Sequence, residues 1–243
     1  MGPGKRLPTA TVTPARVRMV QPTNRPTLRT GEWIESSWGR CRVTGRFGER
    51  HQDLLEAFLW NAEKKRAVSD GGVEILVDPA RVRKTMSPSG YSGEALRKLV
   101  NELLEVNVEI KTPSFWIIGG LVDHVVVSER TRSNPLGGER PLWRVRLGVA
   151  LVELLRQDSP LYYDPTPIAH MQFGISKAVA RFALGQAPKE GGRSWALDTM
   201  IRRLVGELSS AALRNRRREL KMSEADFGLI GLYTTKAKIH KNV

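Results

Sequence analysis

A single cysteine, Cys41, holds all the thiol chemistry of this chain. It excludes an internal disulfide framework and any zinc site needing several cysteines from one chain. Histidine is nearly as scarce. His51, His124, His170 and His240 stand apart with no pair at metal-ligand spacing, so neither a metal nor another cofactor is expected. Asp123–His124 looks catalytic in isolation, yet no partner residues surround it in the pattern. The chain also lacks a GxxxxGK[ST] loop, a serine elbow, a glycine-rich dinucleotide turn and a histidine cluster beside Tyr162 or Tyr163. These absences argue against a P-loop ATPase, a hydrolase, a dehydrogenase and a relaxase, and the reading is that of a non-enzyme. No apolar run reaches the roughly 20 residues of a spanning helix, and no signal-peptide core follows the basic start. A cytoplasmic protein without membrane contact is expected.

Acid is the other shortage. Twenty-five Asp and Glu face 39 Lys and Arg in 243 residues, a formal charge of +14 and a pI near 10.4. Such a surplus suits a polyanionic partner, nucleic acid first. The first 29 residues contain no acid at all, but six basic residues and Pro3, Pro8, Pro14, Pro22 and Pro26. Prolines interrupt both kinds of backbone ladder and apolar content is thin there, so residues 1–32 are read as a flexible basic arm.

From Trp33 the patterning becomes regular. Leu54, Leu55, Phe58, Leu59 and Ala62 repeat with helical period in 52–64, and Val73–Val77 follows as a strand. Asp78 before Pro79 predicts a capped helix to Met86, broken by Ser87-Pro88-Ser89-Gly90. Ser92 or the adjacent Gly93 starts the next helix, whose buried face is Leu96, Leu99, Val100, Leu103 and Leu104. Two strands, 109–113 and 115–127, close the unit. Helix, strand, helix, turn, helix and hairpin is the order of a winged helix. Val122, Val125, Val126 and Val127, around Asp123 and His124, make the second strand a candidate edge for self-association, and core packing explains the valines equally well.

The polar stretch 131–141, with Pro135, Gly137 and Gly138, reads as a linker between domains 33–130 and 142–243. Beyond it a strand at 142–147, a short apolar helix at 149–155 and a helix at 176–185 precede a second helix pair. Asp198 is expected to cap 199–205, Gly206 turns the chain, and Ser209 or Ser210 begins the final helix. A lysine-bearing hairpin with Lys236, Lys238 and Lys241 follows. The fold class is therefore α+β, two winged-helix (helix-turn-helix) domains in tandem. Six tryptophans are scattered through apolar segments. They read as core anchors rather than as a stacking platform for single strands, which would cluster them on one surface.

The most informative segment is LSSAALRNRRRELK, from Leu208 to Lys221. Ala212, Leu213 and Leu220 share one helical face, while Arg214, Arg217, Arg218 and Lys221 lie across the other, with Arg216 between. A helix begun by Ser209 or Ser210 points free amides at a phosphate, and arginine forks fit guanine or phosphate alike. A solvated basic helix is the rival reading. In the first domain Arg81, Arg83, Lys84, Arg97 and Lys98 are candidate backbone contacts, opposed by Glu94, Glu102 and Glu105.

The succession IGGLVD at 118–123, WRVRLGVALVELLR, SKAVARFAL, WALDTMIRRLVG and SSAALRNRRRELK resembles plasmid replication initiators with two winged-helix domains, of the broad-host-range Gram-negative type. That resemblance implies a double-stranded DNA partner in the form of repeated origin sites, local duplex opening, and recruitment of the host replicative helicase or its loader. It also implies homodimers as repressing or storage forms. From the residues alone, a winged-helix repressor or a partition or copy-control regulator would use the same surfaces. A protein-interaction adaptor is the alternative of another class.

Overall fold

The computed structural model describes residues 7–133, 137–187, 192–235 and 237–241. The chain opens with β1 (Ala10–Thr11), α1 (Thr13–Arg16), β2 (Arg29–Thr30), β3 (Ile34–Ser36) and β4 (Gly39–Gly45). Next come α2 (Glu49–Trp60), β5 (Ala62–Ala67), β6 (Val73–Val77), α3 (Pro79–Met86) and α4 (Gly93–Leu104). Four strands follow: β7 (Asn107–Lys111), β8 (Trp116–Gly120), β9 (Val122–Ser133) and β10 (Glu139–Leu147). The second half holds α5 (Val149–Gln157), β11 (Pro160–Leu161), α6 (Thr166–His170), α7 (Gly174–Leu184) and β12 (Arg193–Ala196). It ends with α8 (Leu197–Val205), α9 (Ser210–Met222), α10 (Glu224–Gly228), β13 (Leu232–Thr234) and β14 (Lys238–Lys241). The fold is mixed α/β. Among the described residues no helix is long and apolar enough to cross a membrane.

Two apolar cores organise these elements. The first gathers buried side chains from Leu7 to Leu155, with Phe47, Leu54, Phe58, Ile75, Leu103 and Ile110 at its centre. The second runs from Ile168 to Ile239 around Phe182, Ile201 and Phe227. Four antiparallel sheets are present among the described residues: β2-β4-β7-β8 with β3 on β4, β5-β6-β10-β9, β12-β14-β13, and the pair β1-β11.

Local chemistry set several boundaries as expected. The Asp78 carboxylate accepts the Ala80 amide at 2.9 Å, and Ser92 Oγ accepts that of Ala95 at 3.0 Å. Both are N-caps that satisfy otherwise orphaned amides.

Elsewhere packing overrode the pattern. The expected flexible arm is ordered over residues 7–32, because Leu7, Val12, Val17 and Met19 are buried. β1 pairs with β11, and Thr13 donates its amide to Asp158 at 2.7 Å. Thr23 is wedged between halves. A Cβ on Gly174 would fall 2.5 Å from Thr23 Cα, and one on Gly48 would fall 2.6 Å from Thr23 O, so only glycine fits at either place. The arm's arginines act as structural donors, Arg18 to Glu35 O at 2.7 Å and Arg29 to Met19 O at 2.8 Å.

The expected linker is a hairpin. Residues 131–133 end β9 and 139–141 begin β10, while 134–136 lie outside the described residues. β10 pairs with β6, aligning Trp143 with Val77 and Val145 with Ile75. Its partner helix α5 joins the first core, so the division between cores falls between Leu155 and Ile168 rather than at 131–141. Proline and glycine mark a turn as readily as a linker, and Leu142, Val145 and Leu147 of β10 are buried in the β5-β6-β10-β9 sheet.

The first expected wing also changes. β7 and β8 form a hairpin, but the chain bends at buried Leu121 and β9 enters the other sheet. β6 lies in that other sheet too, so the β7–β8 hairpin pairs with β4 instead of with the strand before α3. The helix expected at 52–64 begins earlier and ends at Trp60, because β6 draws residues 62–67 into a strand.

The halves meet through charge. Glu49, Asp53 and Glu56 stand along one face of α2, and Lys177 and Arg181 stand one turn apart on α7, all five buried. Arg181 reaches all three carboxylates: Nε to Glu56 at 2.7 Å, a terminal nitrogen to Asp53 at 2.7 Å, and the other to Glu49. Lys177 Nζ donates to Asp53 at 2.5 Å and to Ala169 O at 2.7 Å. Burial, opposed by Arg181, pushes the Glu49 carboxyl up to about 8. With Glu49 protonated, two carboxylates balance two cations. The folded chain keeps this proton to about pH 8, whereas the unfolded chain releases it near its ordinary value of 4.5. Stability therefore falls as pH rises through that window. Glu49→Gln keeps the volume and cannot ionise, so urea midpoints measured from pH 5 to 8 should decline less steeply than in the parent. An unchanged slope would mean Glu49 is ionised in the folded chain.

Candidate nucleic-acid interface

α9 is held by two buried leucines. Leu213 and Leu220 face the second core, and Ser209 Oγ caps the helix by accepting the Ala212 amide at 3.3 Å. α8 precedes it, and Gly206, at φ +96°, makes the turn between them in a conformation that side chains disfavour. α7, α8 and α9 pack against one another. Ser209 and Ser210 are exposed at the helix start.

The five basic residues of α9 divide into two sets. Arg214, Arg218 and Lys221, spaced i, i+4 and i+7, form an exposed stripe with no hydrogen-bond or ion-pair partner among the described residues. Arg217 is engaged. Its Nε donates to Asp198 Oδ1 at 2.5 Å and a terminal nitrogen to Oδ2, holding the Asp198 carboxyl below its usual range. Arg216 pairs with Glu219 at 2.8 Å and is half-buried. Asp198 was expected to cap α8, but α8 starts at Leu197 and Ala196 is its N-cap. Starting one residue early leaves the carboxylate in the first turn, where it meets Arg217 across the helix pair.

Beside the stripe lies a groove of about 480 Å³, walled by Arg217, Arg218, Lys221 and Glu224 on one side and Thr234 and Thr235 on the other. Lys236 lies outside the described residues. Lys238 is exposed on β14 near this groove's hairpin wall. Lys241 turns inward, its Nζ donating to the Ala183 and Gln186 carbonyls at 3.1 and 3.0 Å, and burial lowers its pKa.

In the first half, Arg97 and Lys98 are exposed and unpartnered among the described residues. Arg81 lies 3.8 Å from Glu63, Arg83 donates to Tyr91 O at 3.2 Å, and Lys84 is exposed. The structure brings Lys98 together with three arginines not singled out from sequence. Arg25, Arg46 and Arg50 line a groove with Lys98 and Tyr91, and none has an ion pair among the described residues. Glu102, the acid in that groove, accepts from His51 Nε2 at 2.9 Å, while His51 Nδ1 accepts the Gly48 amide. Burial lowers the His51 pKa. The visible signal was only an arginine pair flanking a helix start, RFGER at 46–50. Arg25 falls within the segment that the sequence reads as an arm. Among the described residues no three histidine, cysteine, aspartate or glutamate side chains are grouped to hold a metal.

No protein-family model and no curated protein sequence matches this chain. Solved structures do. Domains 2 and 3 of RctB, as a selenomethionine derivative, superpose with a TM-score of 0.60 at 12% identity, covering 94% of this chain and 98% of that one. A second crystal structure of RctB domains 2–3 gives 0.55 at 11% identity, covering 93% and 95%. At such identities the likeness is one of fold, and it spans both cores.

The Arg217–Asp198 pair tests how charge is apportioned on α9. If α9 binds a duplex, Asp198→Ala should release Arg217 toward it and raise the salt slope of binding by about 1, read from fluorescence anisotropy across a salt series. A slope identical to the parent would mean that Arg217 faces no phosphate.

Proposed function

We propose that this chain is a non-enzymatic replication initiator that reads double-stranded DNA at repeated sites through α9. The observation that carries the proposal is the unpartnered stripe of Arg214, Arg218 and Lys221 on the second helix of a helix pair, with its core face fixed by Leu213 and Leu220. Cations left without acids on a rigid helix suit phosphate oxygens and guanine edges. The order β12, α8, α9, β13, β14, with β14 central in the sheet, supports reading this half as a winged helix. RctB is a replication initiator, and sharing its two-domain fold favours the same class here. The groove of Arg25, Arg46, Arg50 and Lys98 would follow backbone beside the site read by α9. By its sequence resemblance to plasmid initiators, the chain would bind plasmid origin repeats, open the duplex beside them and recruit the replicative helicase or its loader. The free edge of β9, with exposed Val126 and Val127, suits pairing with a second copy.

Footprinting combined with permanganate probing tests this reading. An initiator protects a series of direct repeats and leaves unpaired thymines beside them. Protection of one palindrome without unpairing would instead make the chain a repressor. Alanine at Arg214 or Arg218 should cost about 1–3 kcal/mol and relax specificity where the side chain meets a base, or lower the salt slope by about 1 where it meets a phosphate. Binding unchanged by both replacements together would sink the assignment of α9.

A further inference from the structure

Two tryptophans that look unrelated in sequence share one surface. The inner face of the β3-β4-β7-β8 sheet is core, with Cys41, Val43, Val108, Ile110 and Ile117 buried. Its outer face carries Arg40 and Arg42 on β4, Glu109 and Lys111 on β7, and Trp116 on β8, with Trp33 just before β3. Register places Arg40 opposite Lys111 and Lys111 opposite Trp116. The guanidinium carbons of Arg40 and Arg42 lie 4.5 and 5.1 Å from the centre of a Trp33 ring. Lys111 Nζ lies 5.1 Å from a Trp116 ring centre.

Glu109 organises this face. It is buried, its Oε2 accepts Arg42 Nε at 2.5 Å, and its Oε1 accepts the Trp116 indole N–H at 2.8 Å. The carboxylate is thereby neutralised, and the indole is pinned in orientation while 62% exposed. Lys111 has no acidic partner among the described residues, and Arg40 has only a loose 3.8 Å approach to exposed Glu35. Trp33 and Trp116 stand about three strand spacings apart, roughly 14 Å.

We infer that this sheet face is a binding platform for single-stranded nucleic acid, with an unpaired base stacking on Trp116 and neighbouring phosphates meeting Lys111 and Arg40. A fixed, largely exposed indole beside cations that lack close acidic partners matches a polyanion that also offers flat π faces. A duplex keeps its bases stacked inside and cannot use the ring, so the surface distinguishes opened from closed DNA. The inference deepens the proposed function by giving the displaced strand a place to go. It rests on other residues than α9, so the two can fail separately.

The test titrates a fluorescein-labelled oligothymidine and a labelled origin duplex against the full chain. Trp116→Ala should weaken oligothymidine binding roughly tenfold or more, and leave duplex affinity as it was. Lys111→Ala, at an exposed position, should lower the single-strand salt slope by about 0.7. Arg214→Ala with Arg218→Ala should do the reverse, losing duplex and keeping oligothymidine. Single-strand affinity unmoved by both Trp116→Ala and Lys111→Ala would overturn the inference, as would failure of the parent chain to bind oligothymidine. A Trp116→Ala protein that changes only its sedimentation, from dimer to monomer, would overturn it in favour of a surface for a second copy. Oligothymidine binding sensitive to Trp116, in a chain with no sequence-specific duplex binding, would support the platform and refute the initiator reading.

Discussion

Arg181 at the centre of three buried carboxylates is the contact on which the arrangement of the molecule depends. α2 belongs to the first core and α7 to the second, and their facing sides are joined by charge where apolar packing would be ordinary. Buried pairs add little net stability over a hydrophobic equivalent, because desolvation offsets their attraction. Removing one member is another matter, costing about 3–5 kcal/mol by leaving charge uncompensated. The cluster therefore specifies one docking of the halves more than it strengthens it. A guanidinium with all its forks matched to carboxylates tolerates neither sliding nor rotation of α7 on α2.

Two further contacts reinforce this joint. Trp38, from the turn before β4, meets Phe182 edge-on at 5.9 Å and carries Arg203 of α8 over its ring at 5.1 Å. Thr23 closes the opposite side between Gly48 and Gly174. A net charge of +14 thus resolves into distinct populations. Arg18, Arg29, Lys177, Arg181 and Lys241 hold carbonyls or carboxylates and belong to the architecture. Arg25, Arg46, Arg50, Lys98, Arg214, Arg218 and Lys221 remain open to a polyanion.

Much of the helical content was legible in the sequence, because caps and apolar stripes are local. Asp78-Pro79, Ser92 and Ser209 each state a helix start through chemistry confined to a few residues. What stayed hidden depends on distant partners. The basic amino-terminal segment reads as an arm until Leu7, Val17 and Met19 join the first core. Residues 131–141 read as a linker until β10 finds β6. Within α9, sequence located the basic helix but could not tell Arg214 and Arg218 from Arg217, since that difference is made by Asp198, nineteen positions away. Trp33 and Trp116 meet the same obstacle: strand register, invisible in composition, brings them to one face.

Under the proposed function, the fixed docking of the two halves bears on how a duplex would be read. In two domains joined by a flexible tether, each would bind its own stretch of duplex, and the second contact would gain only an effective concentration set by tether length. Here no tether separates the groove of Arg50 and Lys98 from the stripe of Arg214 and Arg218. Charge pairing and glycine-tight contacts fix their separation. Both contacts form together only on a duplex whose phosphates present the matching spacing. Where the resting helix does not present it, bending or untwisting must supply it, at about 1–6 kcal/mol for a smooth bend over a site of this kind. A rigid joint would direct binding energy from the proposed α9 contacts into that deformation, where a flexible linker would dissipate it. On the proposed function, the same buried arginine that fixes the fold would give the chain a physical means of straining a duplex.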